Sequence, residues 1–366
     1  MVDDSAATMR LPAEARYGDE LARLKGADDA PRPPGWDLSA KAVRRFILGD
    51  EKLKVSRKFY GDDPLVDRAI VSLMSHQGVM LVGEPGTAKS MLSELLAAAV
   101  CGNSCLVVQG SAGTTEDHIR YSWNYALLLA EGPSERALVP SPVLNAMREG
   151  RIVRFEEITR CPQEVQDALI SILSEKTLAI PELGADKAVA ARPGFNVIAT
   201  ANLRDRGVHE MSSALKRRFN FETVRPIEDP VFERDLILRQ LAERLAPADI
   251  KVTGQAEIVE LLVQAFQDLR TGRTREGASL NRPDAVMSTA EAVNVMHAAA
   301  LDAAFLDDGR ITGRHVASQI QGVILKDSAE DGKRFKAYVD HIVKDRAGRS
   351  GAWRDFYQAA RALRLV

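Results

Sequence analysis

Eight consecutive residues, Gly83-Glu84-Pro85-Gly86-Thr87-Ala88-Lys89-Ser90, place two glycines, a lysine and a hydroxyl in one short stretch. Such a stretch suits a triphosphate. Glycines let the backbone curl close around phosphate oxygens, and successive N–H groups at a helix start aim donors and partial positive charge at one point. Lys89 would reach the β- and γ-phosphates of ATP, and the Ser90 hydroxyl would ligate Mg²⁺. The usual pattern has Gly immediately before the Lys, whereas this chain has Ala88. Its methyl group is tolerable there if the residue takes helical φ and ψ.

A second group follows. Ile152-Val153-Arg154-Phe155-Glu156-Glu157 is an apolar run ending in two carboxylates. In a nucleotide hydrolase the first carboxylate holds Mg²⁺ and the second polarises the attacking water, so the roles fall to Glu156 and Glu157. The common pair is Asp-Glu, and Glu156 is one methylene longer. Farther on, Ala199-Thr200-Ala201-Asn202 ends another apolar run, where Asn202 would orient the same water. Lys216-Arg217-Arg218 closes the next helical stretch before Phe219. Two readings of these cations stand: they cap a helix C-terminus, or one is an arginine finger for a neighbouring subunit's γ-phosphate. Arg282, in Gly277-Ala278-Ser279-Leu280-Asn281-Arg282-Pro283, is expected to open a later helix and to report nucleotide state.

These residues need a frame. Apolar runs at 79–82, 106–108, 152–155 and 195–199, with a weaker one at 219–221, read as strands. Amphipathic stretches between them read as helices, among them Ser90 to Val100 and a helix opened by Pro162 with Val165, Leu169, Ile172 and Leu173 on one face. Strands alternating with helices imply an α/β fold with a parallel sheet covered on both faces. After about residue 230 only helical patterns remain, at 236–245, 256–269, 285–304, 315–325 and 334–343. The organisation expected is an N-terminal arm or linker over 1–37, with a short helix around Ala13 to Leu24 ahead of the Pro-rich linker or docking arm, a nucleotide-binding core over 38–228 and a helical lid with C-terminal helices over 229–366.

Composition limits the function classes. The 366 residues carry 49 Lys plus Arg against 51 Asp plus Glu, a net charge of -2, which argues against a surface built throughout to hold nucleic acid. No apolar run approaches a membrane span, and the acidic, non-apolar N-terminus reads as neither a secretory signal nor a transit peptide. Three cysteines, Cys101, Cys105 and Cys161, suit a reducing cytoplasm. The six histidines do not cluster at metal-ligand spacing.

In this order the motifs resemble those of the AAA+ ATPases, and within them the MoxR family. The resemblance covers roughly residues 60 to 300. It makes Gly83–Ser90 the Walker A loop, Val153–Glu157 Walker B, Asn202 sensor 1, Arg218 the arginine finger and Arg282 the candidate sensor 2. It implies a P-loop core with a smaller all-α lid, bound ATP and Mg²⁺, and ATP hydrolysis in a ring, six subunits being the family expectation. It also implies a protein partner carrying a von Willebrand factor A domain. Thr177 to Pro181 and Ala188 to Ala191 are similar to the hairpin before sensor 1 in this clade. Ile119, Tyr121, Trp123 and Tyr125 alternate with polar residues as a strand does, either packed on the core or offered for base stacking. Two other functions are carried: a DNA-directed motor, against which the acidic Glu182–Asp186 tip speaks, and a nucleotide-switched scaffold with little turnover.

Overall fold

The computed structural model describes residues 10–202, 208–285, 287–326 and 328–363. The chain forms two compact units, one of residues up to Arg225 without Pro85–Thr87, the other of Pro85–Thr87 and the chain from Pro226 onward.

The first unit holds nine strands: β1 (Gly78–Val82), β2 (Val107–Gln109), β3 (Tyr121–Trp123), β4 (Leu138–Pro140), β5 (Ile152–Glu156), β6 (Thr177–Ala179), β7 (Ala188–Ala190), β8 (Asn196–Ala201) and β9 (Phe219–Thr223). Five of them form one parallel sheet in the order β2-β5-β8-β1-β9. Side chains alternate along each strand, so β1 packs Val79 and Leu81 into one core and Met80 and Val82 into the other. The first face is covered by helices Ala40–Leu48, Asp63–Met74 and Lys89–Cys101, and the second by Pro142–Glu149 and Leu169–Glu175. Burial on both faces is why these strands read as unbroken apolar runs.

The expected strands and the helix after β1 are present. The stretch expected to open at Pro162 is two short helices, Gln163–Asp167 and Leu169–Glu175, with all four apolar residues buried. Two two-stranded hairpins complete the unit, β3 with β4 and β6 with β7. Tyr121 is buried in the core and donates to Glu182 at 2.7 Å, tying the two hairpins together. Burial, reinforced by Glu182, pushes the Tyr121 hydroxyl up to about 12. The strand expected over Ile119 to Tyr125 is confined to Tyr121–Trp123: Ile119 and Tyr121 pack inward, while Tyr125 opens the helix Tyr125–Glu131 and is exposed.

The short helix expected around Ala13 to Leu24 is present as two helices. Residues 1–9 lie outside the described part. From Arg10 onward the chain is packed on the α/β unit, with helices Ala13–Arg16 and Gly18–Ala27 and with Ala13, Leu24, Trp36 and Leu38 buried. Buried Lys58 lies over the Phe46 ring at 4.3 Å and pairs with Glu20, pinning the second helix. The polar composition reflects one solvated face; Ala13 and Leu24 point inward, with Tyr17 and Leu21 packed partly against the same core.

The second unit is helical: Pro230–Leu245, Gln255–Thr271, Thr289–Leu306, Gly313–Ile324, Ala329–Tyr338, Lys344–Ala347 and Gly351–Ala362, with a π-helical turn at Val339–Val343. Its core contains a buried polar network in which Arg346 binds Asp268 at 2.6 Å, Glu276 at 2.7 Å and Tyr338 Oη at 3.1 Å. No helix among the described residues is long and apolar enough to cross a membrane.

Candidate nucleotide-binding site

The parallel order explains why the chemistry-bearing residues converge. β8 lies between β5 and β1, so the C-terminal ends of three adjacent strands lead to Glu156, Asn202 and the glycine-containing loop. Open α/β sheets bind ligands at that edge.

The loop leaves β1 at Gly83 and enters the Lys89–Cys101 helix at Ala88. Ala88 has φ 68° and ψ 23°, the left-handed region. The helical φ and ψ expected of it are therefore not found. Lys89 and Ser90 can start the helix only if the chain turns sharply at 88, and an L-residue with a Cβ is strained in that turn. Lys89 is buried, and its Nζ donates to the carbonyls of Gly83 at 3.0 Å and Glu84 at 2.7 Å. Burial lowers its pKa to about 8, against the opposing pull of Glu157, Glu156 and Glu84.

Glu156 is the most tightly held acid of the site. Its Oε2 accepts from Ser90 Oγ at 2.6 Å and from Thr200 Oγ1 at 2.8 Å. Its Oε1 accepts from Ser93 Oγ at 2.6 Å and from Arg154 at 2.7 Å. Burial alone would raise its pKa, but the Ser90 and Ser93 hydroxyls, the Arg154 charge and Thr200 outweigh that and hold it below the usual value. Ser90 and Glu156 thus present adjoining hydroxyl and carboxylate oxygens, the hard donors that suit Mg²⁺ brought in with a nucleotide. Among the described residues no cluster of three or more His, Cys, Asp or Glu forms an all-protein metal cage.

Glu157 follows at the strand end with φ 53° and ψ 46°, another left-handed residue. That twist points its carboxylate away from Glu156, and it pairs with Arg160 at 2.6 Å. Its N–H donates to Thr200 Oγ1 at 2.9 Å, so one hydroxyl on β8 ties both acids. Gly110 lets the chain after β2 pass close by, since a Cβ there would stand 2.3 Å from the Glu157 carbonyl oxygen. Asn202, one residue past β8, is buried, and its Oδ1 has no hydrogen-bond partner among the described residues. Such an orphan is costly unless something else satisfies it.

Arg218 lies away from this cluster on the same sheet. Arg218 precedes β9, and β1 and β9 run parallel with Gly78 opposite Phe219. Arg218 therefore sits at the N-terminal edge of the sheet, about 15 Å of strand from the loop at the C-terminal edge. It donates to Ser174 Oγ at 2.7 Å and to the Ala214 carbonyl, while Arg217 is exposed. Arg282 belongs to the second unit and does not open a helix. The helix starts at Thr289, capped by Ser288. The segment before it is held by buried Asp331, which accepts from the N–H groups of Asp284 and Ala285 at 2.8 Å each.

Sequence reasoning passed over Ser93, Arg154 and Thr200. Each had a signal. Ser93 is three residues after Ser90 and so on its helix face. Arg154 is a charge inside an apolar strand, two residues before Glu156 and so on its face, and Thr200 has the same relation to Asn202.

Residues 78–219 match the family described as the AAA domain of the dynein-related subfamily, and residues 232–364 match the YehL-like AAA+ ATPase C-terminal domain. The chain is similar to the uncharacterized protein YehL of Escherichia coli (strain K12), 50% identical over 355 residues and covering 97% of each. It is also similar to chaperone MoxR1 of Mycobacterium tuberculosis, 28% identical over 208 residues, 57% of this chain and 51% of that one. Among solved structures, NtrX from Brucella abortus in complex with ADP aligns with a TM-score of 0.49 at 13% identity, covering 84% of this chain and 65% of that one.

Proposed function

The chain belongs to the YehL-like AAA+ ATPases, and from that premise we propose that it is an oligomeric, Mg²⁺-dependent enzyme that hydrolyses ATP to ADP and phosphate in order to remodel or activate a protein partner. The observation that carries the reading is that Thr200 ties Glu156, which accepts from Ser90, to the Glu157 N–H, beside a buried Asn202 Oδ1 with no hydrogen-bond partner among the described residues. In this reading the loop N–H groups and Lys89 bind the triphosphate, with Gly83, Glu84, Pro85, Gly86, Thr87 and Ala88 shaping the cradle. Ser90 and Glu156 would hold Mg²⁺, which supplies charge neutralisation to the phosphates. Glu157 swings from Arg160 to take a proton from the attacking water, and Asn202 Oδ1 orients that water. Arg218 acts in trans, since its own loop lies a strand length away, and a ring, hexameric by family expectation, supplies the neighbour. Arg282 reports nucleotide state from the second unit.

The similarity to a MoxR chaperone supports a protein client over a DNA track, with a von Willebrand factor A domain protein as the partner and the cytoplasm as the place of action. The acidic hairpin around Glu182 supports the same choice. Glu157→Gln tests the chemistry. It should bind ATP normally and hydrolyse it slower by about two orders of magnitude or more. Full turnover in that variant would remove Glu157 from the mechanism.

A further inference from the structure

Arg154 is a guanidinium placed inside a parallel sheet. It is 9% exposed, and its strand neighbours Ile152, Val153 and Phe155 are fully buried. Taking a charge out of water costs several kcal/mol, and an apolar side chain of similar volume would fill the space without that cost. Three of its four hydrogen bonds fall on the loop's helix and Glu156. Nε donates to Ser93 Oγ at 2.9 Å, Nη1 to the Ser104 carbonyl at 3.0 Å, and Nη2 to the Ser90 carbonyl at 3.1 Å and Glu156 Oε1 at 2.7 Å. Two of these partners, Ser90 and Glu156, are the residues that would meet the metal–nucleotide. A third, Ser93, accepts from Arg154 and passes its own proton to Glu156 Oε1.

The two oxygens of Glu156 are thereby made unequal. Oε1 is turned toward Arg154 and Ser93, and Oε2 toward Ser90 and Thr200. A glutamate has one more rotatable bond than an aspartate, so it needs a lateral tie to present a single oxygen at a fixed place. Ser93 alone would leave Oε1 held by one rotatable hydroxyl. Arg154 supplies a planar, multidentate donor that bridges the first turn of the loop's helix and the end of β5.

We propose that Arg154 is a positioning residue for the metal–nucleotide: it clamps Oε1 of Glu156 so that Oε2 alone stands beside the Ser90 hydroxyl, and the Arg154–Glu156 pair together replaces a shorter carboxylate. The inference rests on the assignment of this site to ATP and Mg²⁺. It predicts that removing Arg154 weakens the metal-dependent part of nucleotide binding and spares the part made by the loop and Lys89.

The test compares the full chain with Arg154→Met, Arg154→Lys and the double variant Arg154→Met/Glu156→Asp. Binding of a fluorescent ADP analogue is measured in EDTA and across a Mg²⁺ titration, beside kcat and KM for ATP and the melting midpoint. Arg154→Met should bind in EDTA within about threefold of the unaltered chain, while its half-saturating Mg²⁺ rises about tenfold or more. Arg154→Lys, which keeps the charge but not the fork, should fall between the two. The Asp for Glu156 should restore the Mg²⁺ response, because the shorter acid needs no tie. A folded Arg154→Met with an unchanged Mg²⁺ response would overturn the proposal and leave Arg154 a packing residue. If Arg154→Met does not fold, Arg154→Lys decides: a raised Mg²⁺ requirement supports the proposal and an unchanged one overturns it. An unaltered chain that binds no nucleotide overturns the site assignment itself and this proposal with it.

Discussion

Ala88→Gly should stabilise the protein, an unusual outcome for a change in a loop proposed to bind a nucleotide. Ala88 stands at φ 68° and ψ 23° at the start of the Lys89–Cys101 helix. An L-residue in left-handed geometry loses about 1–2 kcal/mol, because its Cβ crowds the following carbonyl. Glycine escapes that crowding but releases more entropy on unfolding, a counter-effect of about 0.4–1 kcal/mol. The difference leaves a net gain of about 0.5–1 kcal/mol. For a cooperative unit of 150–250 residues that is about 1–4 °C in the melting midpoint. Thermal and urea melts of Ala88→Gly and Ala88→Val read it directly. The valine is β-branched and should lower the midpoint by more than the glycine raises it. The glycine should also leave ATP affinity within about threefold, since the loop N–H groups keep their directions. If the glycine lowers the midpoint while the valine is neutral, residue 88 is not left-handed and the strain argument fails.

Lys89→Ala should weaken ATP binding by about ten- to a hundredfold, the worth of one charged hydrogen-bonding group in a buried cradle; near-normal affinity by calorimetry would refute the loop's role. Arg218→Ala should bind ATP yet lose about 10³ in rate, and mixing it with Glu157→Gln should recover part of the activity, because some interfaces then pair an intact Glu157 with an intact Arg218. No recovery at any mixing ratio would rule out action in trans. Arg346→Met should destabilise the second unit by about 3–5 kcal/mol, since it strands the buried Asp268 carboxylate. Burial already raises the Asp268 pKa despite Arg346. A carboxyl whose folded pKa lies above its unfolded value is destabilising above the folded pKa, and that penalty vanishes as pH falls through it. The deficit of Arg346→Met in urea melts should therefore shrink on acidification from pH 7, and a deficit that grows would contradict the assignment.

The site's outline was legible along the chain because its parts are local. A glycine-containing loop between an apolar run and a helical pattern, two acids ending another apolar run, and an asparagine ending a third need only neighbouring residues to be recognised. The parallel sheet followed from the same alternation, and so did the hairpins, since β6 with β7 and β3 lie within short stretches. Tertiary structure decided what depends on residues far apart. Which way Ala88 turns is set by the helix it must enter, and that no composition reveals. The N-terminal helix was legible, but that Leu24 and Trp36 would find a core supplied mainly by residues 38–100 was not. The helix starts only at Thr289, and Asp331, 47 residues beyond Asp284, captures the N–H groups of Asp284 and Ala285 ahead of it. Most of all, the four donors around Glu156 come from positions 90, 93, 154 and 200 on three elements. A longer acid in place of the usual one could be seen in the sequence; the arginine and hydroxyls that hold it became its partners only when β5 was packed between β8 and the loop's helix, where burial leaves a charged group no option but a bonded neighbour.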